Sequence, residues 1–459
     1  MTRKFGKSCM SALRRSALAA LLAGAAMPTW AESLGDTLVA AYRHSALLDQ
    51  NRAVLRAADE DVATAMAELR PILQWALSHD YNDTNGIEST STTLGLTASM
   101  TLYDFGRSQA AIDMAKETVL ATRYALVSVE QDILLNAVQA FLNVRAAIEQ
   151  VELEQNSVRV LEQDLQAAQD RFDVGEITVT DVAQANAALA ASRASLSSAQ
   201  GDLEIAREAY IAATGRAPEN LESPPPLPER PASLEAARAT AQKNHPAILQ
   251  SSREVAAAEL SVVAAAAERN PTLSGSASAL TNKSGDTQAS LGLNLSQTIY
   301  SGGRLSAGHR KAMANRDASR ASLLNAARQV DEAVATAWAN IDVARDLISA
   351  IQQQISAAQQ AYDGVREEAL LGARTTLDVL DAEQSLLEAR NDLITAEANL
   401  QLAHYQLLSA MGLLTVEDLK LGIPTYDPSA YYNAVRDAPY TSRQGENLDR
   451  VLRALNRGE

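Results

Sequence analysis

The side chains capable of acid–base, nucleophilic or metal chemistry are scattered along this chain. No two of its five histidines, His44, His79, His245, His309 and His404, fall at metal-ligand spacing with a carboxylate. Gly302-Gly303 lacks the further glycine of a dinucleotide fingerprint and recurs loosely as Phe105-Gly106, so it reads as a bend between elements. Asp and Glu are abundant but read as solvated helix faces. No catalytic residue, metal or cofactor is expected, and no nucleotide-binding motif supplies energy. Two short segments stand out. Residues 171–182 read Arg-Phe-Asp-Val-Gly-Glu-Ile-Thr-Val-Thr-Asp-Val, and residues 371–382 read Leu-Gly-Ala-Arg-Thr-Thr-Leu-Asp-Val-Leu-Asp-Ala. Gly175 and Gly372 permit a tight turn in each. Asp181 and Asp378 follow the turns and sit where a helix start favours negative charge. Asp381 has no such role so readily.

These two segments are copies within a longer repeat. Ser33-Leu34 returns as Ser233-Leu234 and Pro71 as Pro271, an offset of 200. Later the offset is 197: Leu94, Leu96, Leu102 and Tyr103 match Leu291, Leu293, Ile299 and Tyr300, and Gly175, Thr178, Asp181 and Gly215 match Gly372, Thr375, Asp378 and Gly412. The three-residue change falls between Pro71 and Leu94, in an expected hairpin loop. The organisation expected is a signal peptide at 1–31, a first repeat at 32–222, a Pro-rich linker at 223–232, a second repeat at 233–421 and a tail at 422–459, with a possible short helix at Leu448–Leu455.

Each half carries the same elements. A helix over 33–70 ends at Pro71, and its counterpart ends at Pro271. Two strands follow, then a proline-free helical stretch at 107–173 and again at 304–370, each ~100 Å long at 1.5 Å per residue. A shorter helix returns from each turn. Val182, Leu189, Leu196, Leu203 and Tyr210 keep a strict heptad, as do Val379, Leu386, Leu393, Leu400 and Leu407. Such a repeat implies a left-handed coiled coil. The strands at 72–81, 93–103, 272–280 and 290–300 alternate apolar and polar residues. Each is about ten residues long, the length of a tilted membrane-spanning strand. Four strands cannot close a barrel, and lipid forbids an open edge. Three copies of the chain would supply twelve strands, continued by a helical tube.

Composition agrees with this plan. Forty Lys and Arg oppose 56 Asp and Glu, and five of the basic residues lie within the first 31, ahead of a cleavage expected before Glu32. A chain this acidic does not hold nucleic acid on a basic face. The single cysteine, Cys9, lies in the expected leader, which leaves the mature chain without a thiol. Aromatics are 4 % and apolar residues 47 %, as suits close-packed long helices.

The duplicated plan and the two turns resemble the TolC family of outer-membrane channel-tunnels, over about residues 33–420. The resemblance implies a mainly α chain with a small transmembrane β part, and a homotrimer with a twelve-stranded barrel continued by an α-helical tunnel. It implies a passive export channel of the Gram-negative outer membrane, for type I protein secretion or multidrug efflux, reaching into the periplasm. Its partners would be a periplasmic adaptor, an inner-membrane ABC or proton-driven transporter and outer-membrane lipid. By position, Asp378 and Asp381 match the family's aperture aspartates; three chains would present six carboxylates, attracting cations. Arg374 matches the basic residue that ties the inner hairpin to its neighbour, and Thr180 and Asp181 match that residue's partners. Val174, Gly175, Leu371 and Gly372 fall at the hairpin tips where the adaptor docks. One departure is Ala369, which stands where the family pattern has a tyrosine three residues before the tip glycine. The tail, Tyr426-Asp427-Pro428 with Tyr431-Tyr432 and Val435-Arg436-Asp437, resembles the type I secretion branch. A periplasmic coiled-coil adaptor or a structural envelope protein are the alternatives; the first needs a membrane anchor and a lipoyl-like β-domain, and the second leaves four alternating strands unexplained.

Overall fold

A computed structural model describes residues 32–436. The expected leader, Asp437 and the helix expected at Leu448–Leu455 lie outside the described residues. The elements are α1 (Leu34–His44), α2 (Ala46–Ala67), β1 (Ile72–Thr84), β2 (Ile87–Tyr103), α3 (Arg107–Asp173), α4 (Val179–Thr214), α5 (Leu234–Asn244), α6 (Pro246–Ala267), β3 (Thr272–Asn282), β4 (Thr287–Ser296), α7 (Arg304–Leu370), α8 (Thr376–Ala410) and α9 (Pro428–Val435). The order α-α-β-β-α-α occurs twice, so the internal repeat is a repeat of structure. The two long helices are each 67 residues and uninterrupted.

The first helix of each half is not continuous as expected. It breaks at Ser45, whose backbone is extended and whose hydroxyl accepts from the Leu48 amide at 3.2 Å. The counterpart breaks at His245, whose Nδ1 accepts from the Ala247 amide at 3.2 Å. Proline at 246 disfavours helical geometry at the preceding residue. Both breaks have a local signal: Ser at an N-cap in one half, Pro at the first helical position in the other.

The four strands form one antiparallel sheet in the order β1-β2-β3-β4, so the two halves join through β2 and β3. Ile72 pairs with Ser99 and Thr272 with Ser296, which makes the second hairpin three residues shorter and accounts for the changed offset. The first hairpin turns on Asn85-Gly86, both at positive φ, the backbone of a type I′ turn. The strands extend further toward the hairpin ends than the alternation marked, and β4 stops at Ser296, leaving Ile299 and Tyr300 outside it.

Registration sorts the two faces. Leu73, Ala98, Ala277 and Leu291 form one cross-strand row, and Trp75 pairs with Leu96 on the same face. The opposite face carries the row Gln74, Thr97, Ser278 and Ser290. There Ser78 and Thr93 share a hydrogen bond of 2.6 Å, and Ser278 and Ser290 one of 2.7 Å. The apolar face is bare: Trp75 is 73 % exposed and Leu291 88 %.

Below the sheet, α3 packs against α1, α2, α4, α6 and α8, while α7 packs against α5, α6 and α8. Leu134, Val138, Phe141 and Val144 of α3 are fully buried, with Leu48, Leu55 and Val62 of α2. One stretch of α3 is apolar enough for a membrane span by composition, and nearly half of it is buried inside the protein. The heptad residues point inward, Tyr210 completely, and its hydroxyl lies 2.8 Å from Thr37 Oγ1 and donates to Glu32 at 2.5 Å. Arg216 closes on the same carboxylate.

The ends of α4 and α8 meet the breaks of the first helices at matching places. A Cβ on Gly215 would strike the His44 ring, and one on Gly412 would lie 2.8 Å from His245 Cα and 2.9 Å from the Asn244 carbonyl carbon. Both glycines have φ +77. A ring can rotate away, whereas backbone cannot. Gly412→Ala is therefore expected to destabilise by about 2–4 kcal/mol and Gly215→Ala by about 1–2 kcal/mol, read from thermal midpoints of the purified protein.

Candidate functional site

The two hairpins end in matching turns, α3 to α4 and α7 to α8. In the first, the Gly175 amide donates to the Phe172 carbonyl at 2.9 Å and the Glu176 amide to Arg171 at 3.0 Å. In the second, the Gly372 amide donates to Ala369 at 3.1 Å and the Ala373 amide to Glu368 at 2.9 Å. This is the Schellman arrangement, with glycine at positive φ closing the helix. Each tip is pinned by one ion pair, and the charges are exchanged between the copies. Arg171 pairs with Glu176 at 3.3 Å, whereas Glu368, at the position equivalent to Arg171, pairs with Arg374 at 2.8 Å.

The returning helices start in capping boxes. Asp378 Oδ2 accepts from both the Thr375 amide and the Thr375 hydroxyl at 2.8 Å, and the Asp378 amide donates back to Thr375 Oγ1 at 3.2 Å. Asp181 Oδ2 accepts likewise from the Thr178 amide at 2.8 Å and hydroxyl at 2.7 Å. The Thr375 amide and hydroxyl hold Asp378 below the ordinary carboxylate range, and the Thr178 hydroxyl and amide do the same for Asp181. Both are thus ionised at neutral pH. Their capping contribution is complete above the ordinary carboxylate range and is lost as pH falls through the lowered values.

The sequence-marked residues therefore gather at one end of the molecule, with different roles visible. Asp378 and Asp181 cap helices and keep one oxygen, Oδ1, outside the box. Asp381 is exposed one turn on, and its carboxylate has no hydrogen-bond partner among the described residues. Thr180 is exposed. Among the described residues, no hydrogen bond or ion pair joins Arg374 to Thr180 or Asp181; within the chain its partner is Glu368. Val174 is 72 % and Leu371 86 % exposed, equivalent apolar residues at the extreme of each tip. Leu370 and Val179 are exposed beside them. Ala369 is buried beneath the second tip and offers no hydroxyl there.

A polar group higher in the hairpins escaped the sequence reading. Asp164 of α3, Tyr362 and Arg366 of α7 and Glu383 of α8 meet electrostatically where the two hairpins pack. Asp164 Oδ2 and Glu383 Oε2 are buried without a hydrogen-bond partner among the described residues. Burial pushes Glu383 up to about 7; the Asp164 charge adds to the rise and Arg366 opposes it. Burial also raises Asp164, against Arg366. The missed signal is spacing: Glu383 lies four after Val379 and three before Leu386, a carboxylate on the apolar stripe.

A raised carboxyl value stabilises the packed state at low pH, and that contribution is lost as pH rises through about 7. Glu383→Gln should leave stability at pH 5 nearly unchanged and raise it at pH 8. The gain expected is roughly 1–3 kcal/mol, discounted for partial exposure, in thermal unfolding followed at both pH values.

Comparison with known proteins bears on this architecture. The family model described as outer membrane efflux protein matches the chain twice, over residues 38–216 and 237–413. The outer membrane efflux protein BepC of Brucella suis biovar 1 (strain 1330) is 34 % identical over 432 residues, covering 92 % of this chain and 95 % of that protein. The outer membrane protein TolC of Escherichia coli (strain K12) is 26 % identical over 448 residues, covering 91 % and 90 %. A crystal structure of CusC superposes with a TM-score of 0.76 at 22 % identity, over 83 % of this chain and 92 % of that one, a likeness of fold. Two family matches spanning most of both repeats, and a relative aligned almost end to end, agree with the lipid-ready sheet and the long paired helices: the chain belongs to the outer membrane efflux proteins, the TolC-like channels of Gram-negative bacteria.

Proposed function

We propose that this outer-membrane channel works as a homotrimer, a passive conduit gated at its periplasmic tips and energised by an inner-membrane ABC or proton-driven transporter through a periplasmic adaptor. The observation that carries the reading is the four-stranded sheet with an apolar face and a polar face, whose outer strands β1 and β4 both have open edges. In hydrocarbon those unpaired amides and carbonyls cost several kcal/mol each, so the sheet must close on further copies. Twelve strands from three chains satisfy this requirement, with Gln74, Thr97, Ser278 and Ser290 lining the bore. Leu324, Val343 and Leu347 on α7 are exposed in the single chain, as expected of a surface that meets a neighbouring copy.

Asp378 and Asp381 form the selectivity gate in this reading, three pairs facing one axis. Oδ1 of Asp378, left outside the capping box, and the whole Asp381 carboxylate are available to cations. Arg374 exchanges its own Glu368 for Thr180 and Asp181 of a neighbouring copy when the aperture closes, a charged link worth about 1–3 kcal/mol. The adaptor takes the exposed apolar tips, Val174-Gly175 and Leu371-Gly372. BepC, an efflux protein by name, supports a role in efflux, while the tail from Tyr426 to Arg436 supports type I protein secretion.

Reconstitution in planar bilayers tests the conduit. Wild-type protein should give discrete, cation-selective steps blocked by polyvalent cations. Asp378→Ala/Asp381→Ala should keep the steps and lose both selectivity and block. Unchanged selectivity would move the constriction elsewhere, and failure of folded protein to insert would sink the channel reading.

A further inference from the structure

Beyond α8 the chain turns and runs back across α2 and α3 into α9, the last element of the described residues. This segment, residues 423–436, is held by paired arginines and tyrosines. The Arg52 guanidinium lies 5.4 Å from the Tyr42 ring and 5.3 Å from the Tyr426 ring. Arg123 of α3 lies 5.4 Å from the ring of Tyr432. The Tyr431 hydroxyl donates to Glu60 at 2.7 Å, and Val435 is buried. Asp427 caps α9 by accepting from the Ser429 amide at 2.8 Å.

One group in this arrangement is out of place. Asp59 of α2 is completely buried, and among the described residues neither carboxylate oxygen has a hydrogen-bond partner. The nearby Tyr426 hydroxyl and Arg123 Nε are also buried without a hydrogen-bond partner among the described residues. An ionised carboxylate so enclosed, with no donor supplied to it, carries a large desolvation penalty. The groups acting on it from each side are Glu60 on its own helix, Arg123 on α3 and Tyr426 on the returning segment. Arg52, Arg56 and Asp427 act on Tyr426 in turn. Arg123 acts directly on Asp59, and its guanidinium is stacked on Tyr432; its attraction only partly offsets burial.

We propose that residues 423–436 form a strap whose seating on α2 and α3 requires a proton on Asp59, so that the strap is clasped in mild acid and loosens toward neutral pH. Burial is the main cause that pushes the Asp59 carboxyl up to about 7, opposed by Arg123 and reinforced by Glu60. When the strap lifts, water reaches the carboxyl and its affinity for a proton falls toward the ordinary value of 3.8. The clasped state therefore binds one more proton than the open state between these values. Across that range the opening equilibrium grows by up to about tenfold per pH unit, and above about 7 it is flat. The arginine–tyrosine stacks keep their charges throughout and give the strap a pH-independent share of its hold.

Hydrogen exchange of the full-length protein in detergent, from pH 5 to pH 9 and corrected for intrinsic rates, tests this. The readout is the amides of α9 and of its C-cap Arg436, which donates to the Tyr432 carbonyl at 2.8 Å. In wild type their protection should fall by up to about tenfold per unit from pH 5 to 7 and then level off, while the α3 core around Leu134 and Phe141 stays constant. Asp59→Asn, a neutral isostere, should give a strap protected alike at every pH. Asp59→Leu, uncharged and apolar, should give the same flat profile. Wild-type protection that does not change between pH 5 and 7 overturns the proposal without reference to any variant. A decline of equal slope in wild type and the uncharged variants overturns it as well.

Discussion

Backbone amides and carbonyls cannot be left unpaired in hydrocarbon, and this single requirement organises the molecule. The sheet places Leu73, Trp75, Leu291 and Leu293 on a bare apolar face, so its natural surroundings are lipid. Yet β1 and β4 end the sheet with open edges. The chain alone is thus an incomplete object, and closure must come from outside it. The duplication follows the same logic. Each half contributes one hairpin, and pairing of β2 with β3 joins the halves into a unit that still needs neighbours.

The helices answer a different demand, that of distance. A 67-residue helix cannot be stabilised by its own hydrogen bonds and propensities; it needs a partner along its whole length. Each long helix finds two sets, one on either side of the middle. Helices α1 and α2 flank the upper part of α3, and α4 runs along the lower part in heptad contact. Where the sets abut, Gly215 lets the chain pass close against the His44 ring, and Gly412 lets it pass the Asn244–His245 backbone. Small residues between the heptad leucines permit the close approach of α4 and α3. At the far end the tips must be firm and yet exposed, and they obtain this from local bonds: a Schellman turn, a capping box and one ion pair each. That the ion pair has opposite polarity in the two copies indicates that its presence matters to the turn more than its direction does.

Polar groups inside the apolar stripes are the points where packing and chemistry pull apart. Asp59, Asp164 and Glu383 are each placed where a leucine would be cheaper, and each is driven toward its neutral form by burial. They share a location at seams, Asp59 beneath the returning tail and the other pair between the hairpins. A seam that carries a titratable group is a seam whose strength follows pH.

Much of this was legible from residue order. Helix and strand identity, the 67-residue helices, the heptads, the two-faced strands, the repeat and the tip turns are all periodic or local patterns, and periodicity is written directly in side-chain spacing. The breaks at Ser45 and His245 had local signals too, a cap and a following proline, but a dominant helical pattern masked them. What the tertiary structure alone decided is non-local. It set the β2–β3 register that aligns Leu96 with Ala279, the return of the tail onto α2, and the meeting of Asp164 with Glu383. The physical reason is that burial of a single group depends on what another segment, hundreds of residues away, brings over it. Asp59 stands on the apolar stripe of α2, four after Leu55 and three before Val62, but only the tertiary structure brings Tyr426 of the returning tail beside it.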